Sequence, residues 1–392
     1  MSLPEVEISS RGAKRLRAGH VWIYRSDVID SQADAGDVVR VVTRHRSGGR
    51  NVLGVAFYNP ESLICLRLFH RQDSEPDIPF WRARLKAAFD WRKRIGIGDG
   101  LGRMVYAEAD NIPGLIIDRY EDVFVLQTGC AGADRLLPLW VDLLKELLQA
   151  KVVVERNDTS VRRLEGLEKR SGVLAGQLEG PFQVKYGGMI WPVDVLTGQK
   201  TGMYLDQREN HLRAAEFAKG RCLDVFSYQG GFGLHMARGG AEQVTLVDQS
   251  EKALTAASET AELNGLKIET VAGNAFDFLR EQQSQGARYD LISLDPPAFA
   301  KNKHAVEKAY RGYKEINLRA MKMLEPGGLL FTSSCSYHLP PEGFEQMLED
   351  AAMDAGRDVQ IIERRFQSGD HPERVAFPEA SYLKCFILRI LS

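Results

Sequence analysis

The sequence predicts an α/β protein in which a doubly wound parallel sheet follows a small N-terminal β-barrel and a central α+β domain. Three observations predict it. Strand-like and helical runs alternate from about residue 186 to the end. Short β-rich runs separated by turn signals fill residues 1–75. Between them, residues 76–185 mix the two patterns. The chain has 392 residues, 44% hydrophobic and 27% charged, which suffices for two or three domains with buried cores and excludes global disorder.

Residues 1–75 read as all-β. The runs Val38–Val42, Val52–Phe57 and Leu63–Phe69 are divided by Ala35-Gly36-Asp37, Ser47-Gly48-Gly49 and Asn59-Pro60-Glu61-Ser62. Arg11, Lys14, Arg15 and Arg17 cluster just before His20 and Trp22. Basic residues beside an aromatic suit RNA; the same residues also suit a solvated helix turn over a core tryptophan.

In residues 76–185, Phe80–Ile95 is helix-like and strongly basic, which fits either a basic face or an ordinary amphipathic helix. Gly114–Ile117 and Val123–Gln127 read as a hairpin with Asp118–Asp122 as its turn. Residues 135–149 have apolar residues at helical spacing, and Val152–Glu155 reads as a strand. No catalytic constellation stands here.

In residues 186–392, strands are expected at Cys222–Phe226, Gln243–Val247, Glu269–Ala272, Leu291–Leu294, Leu329–Ser333 and Tyr382–Ile390. The chemistry-bearing residues gather where these strands end, as sites in open α/β sheets do. The first strand runs into a glycine-rich turn, Asp224-Val225-Phe226-Ser227-Tyr228-Gln229-Gly230-Gly231-Phe232-Gly233. Glycines there allow close backbone approach to a ligand. Asp248, at the tip of the next strand, is placed to hold two ribose hydroxyls. G-x-G-x-x-G and the P-loop pattern are both absent. An acid at the start of the turn repels a pyrophosphate but suits a cationic nucleoside with a free amine, and S-adenosylmethionine (SAM) fits that description.

Asp295-Pro296-Pro297-Ala298-Phe299 closes another strand. Two prolines make a rigid lip, and a fixed carboxylate there can hydrogen-bond a substrate base. Ser334-Cys335-Ser336 closes a third strand. Cys65, Cys222 and Cys385 lie within apolar runs and Cys130 ends one, as buried hydrophobes do. Cys335 lies past a strand end, where a thiolate can add to an electrophilic carbon. The polar stretch Thr197–Asn210 reads as a loop leading into a helix from about Asp206.

The negative classes matter as much. Five scattered cysteines without a C-x-x-C pair exclude a disulfide scaffold and give no zinc signature. No apolar run nears the roughly 20 residues that span a bilayer, and the N-terminus has no signal-like apolar segment, so a soluble cytoplasmic protein is expected. A net charge of -2 leaves nucleic-acid binding to a local patch.

These residues together resemble the ribosomal RNA large subunit methyltransferase I family. The carriers are Glu108–Arg119, Glu155-Arg156-Asn157-Asp158, Thr197–Asn210, the glycine turn, Asp295-Pro296-Pro297 and Ser334-Cys335-Ser336. The resemblance covers nearly the whole chain. It implies a PUA RNA-binding domain over 1–75, a central α+β domain over 76–185 and a Rossmann-like class I SAM-dependent methyltransferase domain over 186–392. It implies SAM as cofactor without a metal, large-subunit rRNA as partner, and a homodimer.

On the same resemblance, Asp224, Phe226, Ser227, Gly230 and Gly231 lie beside the methionine part of SAM. Asp248 and Gln249 take the ribose; Asn274 and Ala275 lie by the adenine. Gln199, Thr201 and Arg208 close over the cofactor. Asn274 stands where many class I enzymes have an acid, and its carbonyl oxygen is expected to accept from the adenine amino group. Pro296, Pro297, Phe299, Arg15 and Arg17 are expected to contact RNA.

The implied reaction forms 5-methylcytosine. Cytosine carbon 5 is a poor nucleophile until a thiolate adds to carbon 6. Cys335 is the expected nucleophile, and Asp295 the holder of the base and a contributor to the cofactor pocket. The second cysteine that other RNA 5-methylcytosine enzymes carry after the proline is absent, since Ala298 stands there. Two other readings stay open. One is methylation of an exocyclic amino group in RNA, which uses an Asp-Pro-Pro-type lip and needs no cysteine. The other is an RNA-binding factor that keeps SAM without turnover.

Overall fold

The computed structural model describes residues 3–44, 49–97, 100–300 and 303–392. Ser47 and Gly48 of the expected first-domain turn lie outside the described residues. Contacts divide the chain into two compact units. The first comprises Met1–Lys185, Pro192–Met203 and Gly369–Ala380; the second comprises Tyr186–Trp191, Tyr204–Ser368 and Ser381–Ser392. The three blocks of the sequence reading therefore do not coincide with the units, because two later segments return to the first.

In the first unit, strands β1 (Glu5–Ile8), β2 (Trp22–Ile23), β3 (Val28–Ser31), β4 (Val38–Arg44), β5 (Arg50–Tyr58) and β6 (Leu66–His70) form one sheet ordered β2-β6-β5-β4-β1-β3. The all-β expectation for this segment is corrected by helix α1 (Ser10–Arg17). Ser9 caps it by accepting from the Gly12 N–H. The basic residues Lys14, Arg15 and Arg17 fall in its last turn, where the helix dipole favours cations. Gly12, Ala13 and Leu16 turn inward, and the last two join a core with Val6, Ile23, Val41 and Leu68.

Helix α2 (Ile78–Arg94) then leads to a second sheet of β7 (Leu101–Tyr106), β8 (Leu115–Tyr120), β9 (Val123–Thr128), β10 (Val152–Asn157) and β11 (Arg170–Ala175), ordered β11-β10-β9-β8-β7. Asp118, Arg119 and Tyr120, expected in a turn, continue β8. Only Glu121 and Asp122 turn the chain, with Glu121 at φ 56°. Asp118 is wholly buried and accepts both Arg103 hydrogen bonds, so pairing rather than solvation decides its place. The expected helix over 135–149 is two elements, α3 (Ala131–Arg135) and α4 (Leu137–Leu148), and α5 (Val161–Leu164) follows β10. Strands β12 (Phe182–Tyr186) and β13 (Met189–Val193) form a hairpin.

The second unit is built on a seven-stranded sheet. Its strands are β14 (Arg221–Val225), β15 (Gln243–Asp248), β16 (Glu269–Ala272), β17 (Tyr289–Leu294), β18 (Leu324–Ser334), β19 (Val359–Arg365) and β20 (Lys384–Ile390). The order is β16-β15-β14-β17-β18-β20-β19. The pairings from β16 to β18 are parallel, while β20 runs antiparallel to both its neighbours. Helices α6 (Arg208–Phe217), α7 (Gly231–Gly239), α8 (Glu251–Leu263), α9 (Ala275–Ser284), α10 (Val306–Met323) and α11 (Pro341–Ala355) complete it.

Strand alternation sends Leu223, Ile292 and Leu330 into one apolar layer and Cys222, Leu246 and Phe331 into the other. Burial on both faces is what covering helices require of a doubly wound sheet. The direction of winding reverses between β14 and β17, which pair directly. That switch point opens a crevice at the carboxyl ends of the strands. Among the described residues no helix is long and apolar enough to cross a membrane.

Candidate active site

The crevice at the switch point brings together three strand ends. Asp224 on β14 is 1% exposed. Its Oδ2 accepts from the Gly233 N–H at 2.7 Å, and its Oδ1 accepts from the Ser293 hydroxyl of the adjacent β17. Burial pushes its carboxyl up to about 7 against those hydrogen bonds, with Asp295 and Asp248 adding repulsion. A site that holds a buried acid near neutrality accommodates a cation there.

The turn after β14 is bent by unusual backbone. Phe226 and Tyr228 have φ of 63° and 48°, left-handed values that side chains resist. Between them Ser227 is buried, and its hydroxyl has no hydrogen-bond partner in the protein. The glycines serve packing more than ligand approach. A Cβ on Gly230 would come within 2.7 Å of Leu246, and one on Gly231 within 2.6 Å of the His211 ring. Thus they let α7 start tight against β15 and α6. Gly273, by contrast, would meet nothing within 4 Å.

Asp248 ends β15. One oxygen accepts from the Tyr228 N–H at 2.9 Å and the other from the Ser250 N–H at 2.8 Å, which fixes the carboxylate and leaves each oxygen a second lone pair. Gln249 beside it is exposed. Asn274 departs from its expected use. Its carbonyl oxygen caps α9, accepting from the N–H groups of Phe276 and Asp277 at 2.9 and 3.3 Å. What it offers outward is therefore its amide N–H, a donor rather than an acceptor. Ala275 is buried as the first residue of that helix. Phe226, Phe276 and Phe299 form a half-buried aromatic triangle with centroids 6.0–6.4 Å apart.

Two further strand ends carry the residues expected to be catalytic. Asp295 follows β17, and Cys335 follows β18, its neighbour in the sheet. Cys335 Sγ lies 4.0 Å from the Pro296 carbonyl oxygen and is half-buried, whereas the other four cysteines are buried. Pro296 is buried and Pro297 exposed, so the lip presents one proline. The Phe299 ring lies 4.6 Å from that of Tyr313, tilted by 39°.

Two residues the sequence reading passed over complete this end. Gln207, 2% exposed, donates to Asp295 Oδ1 at 2.9 Å and to Ser333 Oγ at 3.1 Å. Lys384 opens β20 opposite Ser334, is 3% exposed, and donates to the carbonyls of Ser336 and Tyr382 at 2.8 and 2.9 Å. Burial lowers its ammonium to about 8, and Cys335 partly offsets that. Nothing local in Tyr382–Ile390 distinguishes this lysine; Gln207 stood inside the polar stretch that was singled out, one residue from Arg208.

Arg208 opens α6, and its carbonyl accepts from the Tyr186 hydroxyl. Gln199 and Thr201 belong to the first unit, where Thr201 is buried and donates to Asp118 at 2.6 Å. Arg156 holds the same stretch through the carbonyls of Val195 and Gly198. In α1, Arg17 is exposed, while Arg15 lies 3.9 Å from the buried Asp27 and over the Tyr24 ring. Trp22 is not an open stacking platform: its indole N–H donates to Glu108 at 2.8 Å and Arg67 covers its ring.

A seven-stranded sheet with a lone reversed strand, a buried acid before a tight glycine turn and a second acid on the next strand define a SAM-dependent methyltransferase. The unpartnered Ser227 hydroxyl and the near-neutral Asp224 carboxyl are consistent with a cofactor that brings an ammonium and a carboxylate. Residues 168–389 match the family model for S-adenosylmethionine-dependent methyltransferases, and residues 6–71 match that for PUA-like domains.

The chain belongs to the ribosomal RNA large subunit methyltransferase I family. It is 41% identical over 389 residues to the protein of that name from Aliivibrio fischeri, covering 96% of this chain and 97% of that one. The Yersinia pseudotuberculosis protein of that name is 39% identical over 388 residues, with the same coverage. Among solved structures, a SAM-dependent methyltransferase from Streptococcus mutans superposes with a TM-score of 0.82 at 19% identity, covering 99% of this chain and all of that one. A methyltransferase complexed with SAH gives 0.84 at 20% identity with the same coverage. Among the described residues no cluster of His, Cys, Asp and Glu is placed to hold a metal.

Proposed function

We propose that this protein transfers a methyl group from SAM to carbon 5 of a cytidine in large-subunit ribosomal RNA through a covalent Cys335 adduct. The observation that carries the reading is the half-buried Cys335 thiol beside the Asp295-Pro296 lip, on neighbouring strand ends of the crevice that also holds Asp224. The relatives' names support ribosomal RNA as substrate, and the PUA-like segment with the exposed Arg17 of α1 offers an RNA contact.

When bound, SAM supplies an electrophilic methyl on a sulfonium. Asp224 and Ser227 would hold its methionine end, Asp248 its ribose, and the Phe226–Phe276–Phe299 triangle with the Asn274 amide N–H its adenine. The Cys335 thiolate adds to carbon 6 of the cytosine, forming an S–C bond. The double-bond pair moves toward carbon 5, which becomes nucleophilic enough to take the methyl. Asp295, steadied by Gln207, accepts a hydrogen bond from the exocyclic amine. Loss of the carbon-5 proton to solvent then returns the electron pair, breaks the S–C bond and frees Cys335. Both ring faces must be reached, so the nucleotide is unstacked from its helix.

The test incubates the protein and its Cys335→Ala variant with labelled SAM and unmethylated large-subunit rRNA, followed by digestion to nucleosides. Label in 5-methylcytidine from the wild type and none from the variant is expected. Label in a nitrogen-methylated nucleoside, unchanged in the variant, overturns the reading. Binding of SAM without turnover on any rRNA would leave a non-catalytic RNA-binding factor.

A further inference from the structure

We propose that Lys384 is a positioning residue that supplies the counter-charge for the Cys335 thiolate, which rests on the reading of Cys335 as the nucleophile. Lys384 grips the loop that carries the cysteine. Its backbone pairs with Ser334, the residue before Cys335, and its Nζ donates to the carbonyl of Ser336, the residue after. The second Nζ hydrogen bond goes to Tyr382, two residues back on its own segment.

The peculiarity is electrostatic. Lys384 is 3% exposed, its ammonium donates to two carbonyls, and it has no carboxylate partner among the described residues. Two carbonyls satisfy donors but do not neutralise an ammonium, and a buried unpaired charge is costly. A neutral donor would brace the loop without that cost. The charge makes sense if an anion forms nearby, and Cys335 is the group whose charge acts on it. An ammonium has three N–H groups, and the two carbonyls take two of them.

From the side of the thiol the argument is the same. Among the described residues, the titratable groups near it include Tyr204 before α6, Tyr313 on α10 and Lys384 on β20, with Asp295 at the end of the neighbouring strand β17. Burial and the Cys335 charge both hold the two tyrosines in their neutral forms. Asp295 opposes a second anion. Of these four, Lys384 alone can be positive. In the step it serves, the Cys335 S–H gives its proton to solvent, the ammonium keeps its own, and the thiolate is left paired.

The experiment is alkylation of the full, RNA-free protein with iodoacetamide across pH 5–10, with the modified peptide identified by mass. The four other cysteines are buried, so reaction reports Cys335. The wild type is expected to alkylate with a midpoint at least a unit below the ordinary thiol value of about 8.5. Lys384→Met and Lys384→Gln should each raise the midpoint by a unit or more, slowing reaction at pH 7 about tenfold, and Lys384→Arg should keep it low.

A wild-type midpoint at or above the ordinary value overturns the proposal without any variant having to fold. So does recovery of the wild-type midpoint in Lys384→Gln, which retains a donor for the Ser336 carbonyl but no charge. The alkylation needs neither SAM nor RNA. A wrong product class in the methylation test would therefore sink the cytosine-5 reading and leave this measurement standing.

Discussion

Gln207 Nε2 stands 2.9 Å from Asp295 Oδ1, tying the entry of α6 to the end of β17. The same nitrogen reaches Ser333 Oγ on β18, and Asn210 donates to the Gln207 carbonyl oxygen at 2.6 Å. The amide is thereby locked in one orientation, with its donor face toward the carboxylate. That donor fixes the orientation of the Asp295 carboxylate at the strand end.

Replacing this amide should misplace the carboxylate without touching the cofactor. Gln207→Leu is expected to lower kcat/KM on rRNA about ten- to hundredfold, the worth of about 1–3 kcal/mol for a buried polar partner lost. Its SAM affinity should stay within about threefold of the wild type. Steady-state methylation and calorimetric SAM binding read the two effects separately. An equal loss in both would place Gln207 in the cofactor pocket instead.

Asp224 predicts the pH dependence of cofactor binding. Its folded carboxyl is raised to about 7, so the free protein holds this proton up to neutrality, while the unfolded chain has released it near the ordinary value of 3.8. Between those values the unfolded state binds fewer protons, and this group makes the free protein less stable as pH rises. A bound ammonium requires the ionised form and draws the proton off. SAM affinity should accordingly weaken about five- to tenfold from pH 7.5 to pH 6, with proton release visible as a buffer-dependent binding enthalpy. Asp224→Asn should bind weakly and with a flat profile over the same range.

The first unit offers a stability prediction. Arg67 donates to Glu108 at 2.7 Å and to Glu165 at 2.9 Å, all three nearly inaccessible. Arg67→Met strands two buried carboxylates and should cost about 3–5 kcal/mol in chemical denaturation. Adding Glu108→Gln and Glu165→Gln should recover part of that, because the stranded charges are then gone. Full stability in the single variant would mean the pair is solvated in solution.

Much of the second unit was legible in the sequence. Buried parallel strands are continuous apolar runs, so β14, β15 and β17 stood out within a residue or two of their ends. Cys335 could be told from the other cysteines because a strand end is itself a sequence signal. Strand β19 was missed: Val359–Arg365 alternates half-buried and exposed residues and ends in three charged ones, as an edge strand does. Helix α1 stood only as the alternative reading of its basic cluster, because its eight residues hold one large apolar side chain, Leu16, among four basic ones.

The sequence alone nominated four candidate residues on the sheet: Asp248, Asp295 and Cys335 end or follow apolar runs, Asp224 lies near the end of one, and the strand pattern puts all four at one edge. Only the tertiary structure decided what surrounds them. Gln207 meets Asp295 from 88 residues away, and Lys384 meets Ser336 from 48. Such partners leave no local periodicity, since they are selected by where the strands pair. The near-neutral Asp224 is likewise a property of its enclosure. A carboxyl in the chain is an ordinary acid until layers packed on both faces of the sheet remove its water.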